Sequence, residues 1–114
     1  LTQFGVNLTT LAPGSWSAQR HWHEKEDEFV YVVEGEITLI DDAGEHVLKP
    51  GMCAGFKAGV ANGHHLVNKS SSPATYIEIG TRSAVENSHY PDVDMKAEKI
   101  DGKWVVTKKD GTGF

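Results

Sequence analysis

The stretch His21-Trp22-His23-Glu24-Lys25-Glu26-Asp27-Glu28, with the run Phe29-Val30-Tyr31-Val32-Val33-Glu34-Gly35 behind it, decides how the rest of the chain is read. Residues i and i+2 of an extended strand point to the same face. In a strand, His21 and His23 would stand roughly 6.5–7 Å apart at their Cα atoms, twice the rise per residue. Two imidazoles leaning together from that separation can share one metal ion, with nitrogens about 2.0–2.1 Å from it. A polar turn over residues 24–27 followed by a β-branched and aromatic run forms a strand–turn–strand unit. That turn would return a carboxylate, Asp27 or Glu28, to the same ion. A His-x-His pair is a weak signal by itself, and exposed histidines in an acidic loop fit it equally until the flanking chain is read.

Working outward, turn signals recur every few residues. Toward the N-terminus, residues 4–11 alternate loosely as a strand, Pro13-Gly14 is a turn, and residues 17–23 read as a second strand. That alternation puts Gln19, His21 and His23 on one face and Ala18, Arg20 and Trp22 on the other. Toward the C-terminus come strands at 29–33, 37–40, 45–48, 52–56, 64–68 and 74–81. Asp41-Asp42-Ala43-Gly44 reads as a four-residue hairpin loop, and Pro50-Gly51 as a further turn. Residues 83–94 are polar and irregular. Residues 95–100 and 103–108 flank Asp101-Gly102, a strong hairpin signal. About nine short strands and no stretch of helical period make the chain all-β, a sandwich or barrel.

Composition narrows the function classes. A chain of 114 residues has room for one ordinary core, so residues 1–114 read as a single domain. The start at Leu1 rather than Met leaves room for native residues ahead of it. The net charge of −5 argues against general nucleic-acid binding. No apolar run reaches the length of a membrane span, and no secretory leader is visible, so the expected compartment is the cytoplasm. One cysteine, Cys53, excludes an internal disulfide and reads as a packed core thiol in the run Met52-Cys53-Ala54-Gly55-Phe56.

Two motifs in order make the chain resemble the cupins, small jelly-roll barrels built as a double-stranded β-helix. The family's first motif is a glycine, a short gap, His-x-His, three or four residues, Glu, six residues and Gly. Gly14, His21-Trp22-His23, Glu28 and Gly35 follow it, with a gap after Gly14 one residue longer than usual. The second motif is answered by Gly51, Lys57-Ala58-Gly59, His64 and Asn68. Lys57 stands where the family usually has proline. Four residues rather than two separate Gly59 from His64. The resemblance covers residues 4–80 and leaves a C-terminal extension, residues 82–114, with its hairpin outside the two motifs.

The resemblance implies that His21, His23, Glu28 and His64 surround one divalent transition metal: iron, manganese, nickel, cobalt, copper or zinc. Three imidazoles and one carboxylate suit such an ion on chemical grounds too, and leave positions open for a substrate oxygen, water or O₂. Asp27 competes with Glu28, and the family spacing favours Glu28. His65 competes with His64, because neighbouring strand residues face opposite ways and a bulge at Gly63 would turn His65 inward. Gln19, Lys57 and His65 are the substrate-pocket candidates: Gln19 beside His21, Lys57 at the barrel mouth. His46 and His89 have no partner at metal spacing.

The resemblance further implies a metal-dependent enzyme acting on a small oxygen-rich molecule, of dioxygenase, decarboxylase or lyase type. A sugar-phosphate isomerase-like cupin is one alternative, although the basic residues near the motifs are few: Arg20, Lys57, Lys69 and Arg82. A non-catalytic small-ligand-binding cupin is another. Cupins of this size are often dimers, and Trp22, Phe29, Tyr31 and Val33 lie opposite the ligands, so a homodimer is expected, or a cover formed by the C-terminal hairpin.

Overall fold

The computed structural model describes residues 1–114 and contains no helix. Its eleven strands are β1 (Phe4–Leu11), β2 (Trp22–His23), β3 (Glu28–Glu34), β4 (Ile37–Asp41), β5 (Gly44–Leu48), β6 (Cys53–Phe56), β7 (His65–Val67), β8 (Ala74–Thr81), β9 (Glu86–His89), β10 (Lys96–Ile100) and β11 (Lys103–Thr107). They form three antiparallel sheets in the orders β1-β8-β3-β6, β5-β4-β7 and β11-β10-β9-β2. The isolated antiparallel bridge His21↔His64 ties the head of β7 to the head of β2. This is the all-β architecture expected from the turn spacing, in the jelly-roll form that the family resemblance implies.

The core follows from strand alternation. In β3, Val30 and Val32 are buried while Phe29, Tyr31 and Val33 point outward. Val30, Val32 and Tyr76 of the first sheet pack against Ile37, Leu39 and Leu66 of the second. Each such side chain contributes about 1.5–3 kcal/mol relative to leaving it in water. Gly35 closes the tight turn after β3 at φ +77°, where an added Cβ would sit 2.6 Å from the Pro73 carbonyl oxygen. Only glycine combines that dihedral with that approach.

Five details depart from the sequence reading. Only Trp22 and His23 of residues 17–23 form a strand, because residues 17–20 bend across the barrel end before pairing resumes. Gln19 is therefore exposed rather than turned inward beside His21. The β4–β5 loop has two residues, Asp42 and Ala43, since Asp41 pairs with Gly44, which takes φ +115°. The polar segment Glu86–His89 is a strand, held between β2 and β10. Cys53 is exposed, because it faces away from the core beside Tyr31, its partner in β3.

The C-terminal hairpin forms as Asp-Gly predicts. Asp101 and Gly102 take φ +50° and +77°, the two positive values of a type I′ turn. Its location differs from the expected cover over Phe29 and Tyr31. The hairpin instead extends the sheet that carries β2, which brings residues 82–114 up to the histidines.

Candidate metal centre

Four side chains converge at one end of the barrel. His21 and His64 are directly paired across an antiparallel bridge, so their side chains lie on one face, with ring centroids 5.7 Å apart. His23 lies two residues on, its ring 5.0 Å from that of His21. Glu28 begins β3 and reaches them from the first sheet. Glu28 Oε1 lies 2.6 Å from His23 Nε2 and 3.9 Å from His21 Nε2, and Glu28 Oε2 lies 3.5 Å from His64 Nε2.

Each ring is oriented through its other nitrogen. His21 Nδ1–H donates to the Gln19 carbonyl at 2.7 Å, and His64 Nδ1–H to the Asn62 carbonyl at 3.3 Å. A carbonyl can only accept, so these rings carry the proton on Nδ1 and leave a bare lone pair on Nε2. His23 Nδ1 lies 3.0 Å from Ser88 Oγ. The Phe56 ring stacks on His64, with centroids 3.7 Å apart and planes 4° from parallel.

Burial and charge set the protonation. Burial lowers the pKa of His21, and its contact with the Gln19 carbonyl only partly offsets this. Burial also opposes charge on His23, but Glu28, Glu86 and Glu26 together outweigh it and raise its pKa. Burial alone would raise Glu28. The His23 and His64 imidazoles outweigh it and hold the carboxyl well below the usual carboxylate range.

His21, His23 and Glu28 bring donor atoms within 4.8 Å of one another, close enough for one ion, and His64 Nε2 lies against the second Glu28 oxygen. Two donors that each lie about 2.1 Å from a shared metal stand no more than about 4.2 Å apart. The three Nε2–carboxylate separations, 2.6, 3.9 and 3.5 Å, all lie within that span. His64 Nε2 is buried with no hydrogen-bond partner, and Glu28 Oε1, although 2.6 Å from His23 Nε2, is buried without a well-aligned one. Such atoms cost roughly 1–3 kcal/mol each unless something satisfies them. A cation held by all four side chains would satisfy both.

The competing residues are engaged elsewhere. Asp27 Oδ1 accepts from Ala58 N at 2.7 Å. His65 Nδ1–H donates to the Ala18 carbonyl at 2.7 Å, and its ring meets Trp16 edge-on. No bulge reverses the register at Gly63. His46 pairs with Asp41, and His89 pairs with Glu24 while stacking on Trp22. Glu26 and Glu86 also approach His23. Glu26, however, is paired with Lys99 at 2.6 Å, and Glu86 accepts from backbone N–H groups.

Four cavities border the cluster, one of which, of about 320 Å³, reaches only Glu28 among the four side chains, beside Asp27 and Lys57. Another, of about 330 Å³, touches all four side chains and is walled on the far side by Glu78. A third, of about 220 Å³, adds Lys57 to His23, Glu28 and His64. A fourth, of about 270 Å³, lies between His21 and His23 and the C-terminal sheet, against Tyr90 and Trp104. Burial first, and then the Glu28 charge, raise the pKa of Glu78. Sequence reasoning passed over Glu78, although the alternation Ala74, Tyr76, Glu78, Gly80 along β8 places it on the inner face. Arg20 is held by Asp42 and Asp92 at 2.7 and 2.8 Å, and Lys69 pairs with Glu45.

Comparison with known proteins gives a consistent family. The Cupin domain matches residues 7–80. A sugar phosphate isomerase from a cupin superfamily of Silicibacter pomeroyi is 47% identical, with a TM-score of 0.96, over 100% of this chain and 73% of that chain. A chain from Acidithiobacillus ferrooxidans, whose name proposes a sugar phosphate isomerase, is 26% identical with a TM-score of 0.88 over 98% of this chain and 71% of its own. Salicylate 1,2-dioxygenase of Pseudaminobacter salicylatoxidans shares the fold, at 20% identity and a TM-score of 0.60, over 68% of this chain and 22% of that one. No curated protein matches the chain.

Proposed function

This chain belongs to the cupin family, and on that premise we propose that it is a metal-dependent enzyme acting on a small oxygen-rich molecule. One observation supports the reading: the Nε2 atoms of His21, His23 and His64 all lie within 3.9 Å of the Glu28 carboxylate, and His64 Nε2 is buried without a partner. A bound first-row metal supplies Lewis-acid or redox chemistry there. The protein's own residues do the remainder. Glu28 and the three imidazoles hold the ion, and Phe56 fixes the His64 ring by stacking. Glu78, whose pKa is raised by burial, is suited to accept or return a proton within the larger cavity.

The identity to the Silicibacter chain supports a second reading, interconversion of a sugar phosphate. That chemistry calls for cations to hold the phosphate. Lys57 is the one cation lining a cavity that also touches the ligand side chains. The wall around Glu28 carries Glu26, Asp27 and Glu78 instead, which favours a ligand of low negative charge. Metal analysis of protein purified without a histidine tag, followed by O₂ uptake and sugar-phosphate turnover on a substrate panel, separates the readings. O₂ consumption supports a dioxygenase, and keto-sugar turnover without it supports the isomerase. Protein with no bound metal that also binds none on addition ends both.

The same reading includes a homodimer. Val6 and Leu8 of β1, Ile77 and Ile79 of β8, and Phe29 and Tyr31 of β3 are paired in register and form one apolar outer face. Val6, Leu8, Phe29 and Tyr31 remain 38–71% exposed in the single chain. A contiguous apolar face of this kind fits a partner surface.

A further inference from the structure

We infer that residues 82–114, which lie beyond the matched family span, are a working part of the metal centre, with Ser88 as the positioning residue that orients His23. The inference rests on the metal-binding reading. His23 and Ser88 are direct partners in the β2–β9 pairing, so their side chains share a face. Ser88 is 2% exposed, and its Oγ lies 3.0 Å from His23 Nδ1. The opposite nitrogen of that ring lies 2.6 Å from Glu28 Oε1. For Nε2 to offer a lone pair, the neutral ring must carry its proton on Nδ1, and Ser88 Oγ is the acceptor placed to receive that N–H. His21 and His64 use backbone carbonyls for the same purpose, and both carbonyls lie within residues 7–80. His23 alone depends on a side chain, and that side chain comes from outside the matched span.

The same strand anchors the turn between the ligands. Glu86 is 1% exposed, and its carboxylate accepts from Glu24 N at 3.0 Å and from Lys25 N at 2.9 Å. Glu26 accepts from Ser83 N at 2.8 Å and from Lys99 Nζ at 2.6 Å. His89 pairs with Glu24 at 2.7 Å. Residues 24–26, which set the path from His23 to Glu28, are thus each tied to the extension. The arrangement makes the extension the part of the chain that fixes both the ring and the spacing of the first two ligand elements.

Cobalt(II) titration of the full chain, followed by visible absorption, tests the inference. Ser88→Ala should weaken cobalt affinity by roughly 10- to 100-fold, the usual effect of removing an outer hydrogen-bond partner of a ligating histidine. It should also shift the cobalt absorption bands while leaving the metal-free melting temperature near that of the parent. Ser88→Thr, which keeps the hydroxyl, should restore the bands. A measurement without substitution guards against a variant that does not fold: imidazole ¹⁵N spectra of the zinc-loaded parent should show His23 protonated at Nδ1. A Ser88→Ala protein that binds cobalt as the parent does overturns the inference and leaves the metal reading standing, whereas a His23 protonated at Nε2 overturns the inference and also removes His23 Nε2 from the ligand set. A parent that binds no cobalt overturns both.

Discussion

His21 and His64 donate Nδ1–H to backbone carbonyls and His23 holds Nδ1 against Ser88 Oγ, which leaves all three Nε2 atoms facing Glu28. His46 and His89 present Nε2 to Asp41 and Glu24, with side chains 45% and 40% exposed. His21→Ala or His23→Ala should therefore lower metal content sharply, by more than the roughly 10- to 100-fold expected for an outer partner. His46→Ala and His89→Ala should leave it unchanged. Elemental analysis decides between them, and full metal content in the His21→Ala, His23→Ala double variant would remove the site. The adjacent pair gives a sharper comparison: His64→Gln should abolish most metal affinity, while His65→Gln should alter it little, since His65 is spent on the Ala18 carbonyl. A larger loss in His65→Gln by titration would reverse the assignment. The pH dependence follows from His23. Its pKa is raised by the surrounding carboxylates despite burial, so protons compete with metal for Nε2 as the pH falls. Metal affinity should decline from about pH 8 to about pH 6. An affinity flat across that range would contradict a histidine-held ion.

At the scale of the elements, two glycines with similar dihedrals predict different costs. Gly35 and Gly102 both have φ +77°. An alanine at Gly102 meets nothing within 4 Å, so its cost is the left-handed backbone alone, about 1 kcal/mol. An alanine at Gly35 would also press within 2.6 Å of the Pro73 carbonyl oxygen and 2.8 Å of Ala74 Cα. Backbone strain and overpacking together put that cost at about 3 kcal/mol or more. Urea unfolding of the two variants should show Gly35→Ala clearly the less stable. Equal midpoints would mean that the turn after β3 can relax. The long strands were legible because they pair β-branched and aromatic residues with period-two burial, as β3 and β8 do. β9 was not, because Glu-Asn-Ser-His has no apolar face. Its buried residues, Glu86 and Ser88, are polar and are satisfied by backbone N–H groups and by His23.

For the molecule as a whole, the two faces of the first sheet have opposite roles. The inner face carries Val30, Tyr76, Glu28 and Glu78 toward the core and the site; the outer face carries Leu8, Phe29, Tyr31 and Ile77. A dimer across the outer face should therefore dissociate without disturbing the metal centre. Leu8→Glu with Tyr31→Glu should sediment as a monomer with unchanged metal content, while the parent sediments as a dimer. A stable interface buries on the order of 1,200–2,000 Å² in total, a size that a four-stranded sheet face can supply. A monomeric parent would end the proposal. No helix of the protein is long and apolar enough to cross a membrane.

The sequence alone determined the parts of this protein that are local in the chain. Strand period, turn chemistry and the spacing of His21, His23, Glu28 and Gly35 concern residues a few positions apart, and short-range geometry constrains them directly. The Asp101-Gly102 turn is legible for the same reason. Only the tertiary structure decided what depends on chain segments far apart. It turned His64 rather than His65 toward Glu28, because that choice depends on a bridge to His21 forty-three positions away. It bent residues 17–20 and so removed Gln19 from the inner face. It also brought Ser88 and Glu86 beneath His23, sixty-five and sixty-three positions along the chain. A polar strand carries no signal of its own partner, and its hydrogen bonds are specified by where the barrel places the histidines.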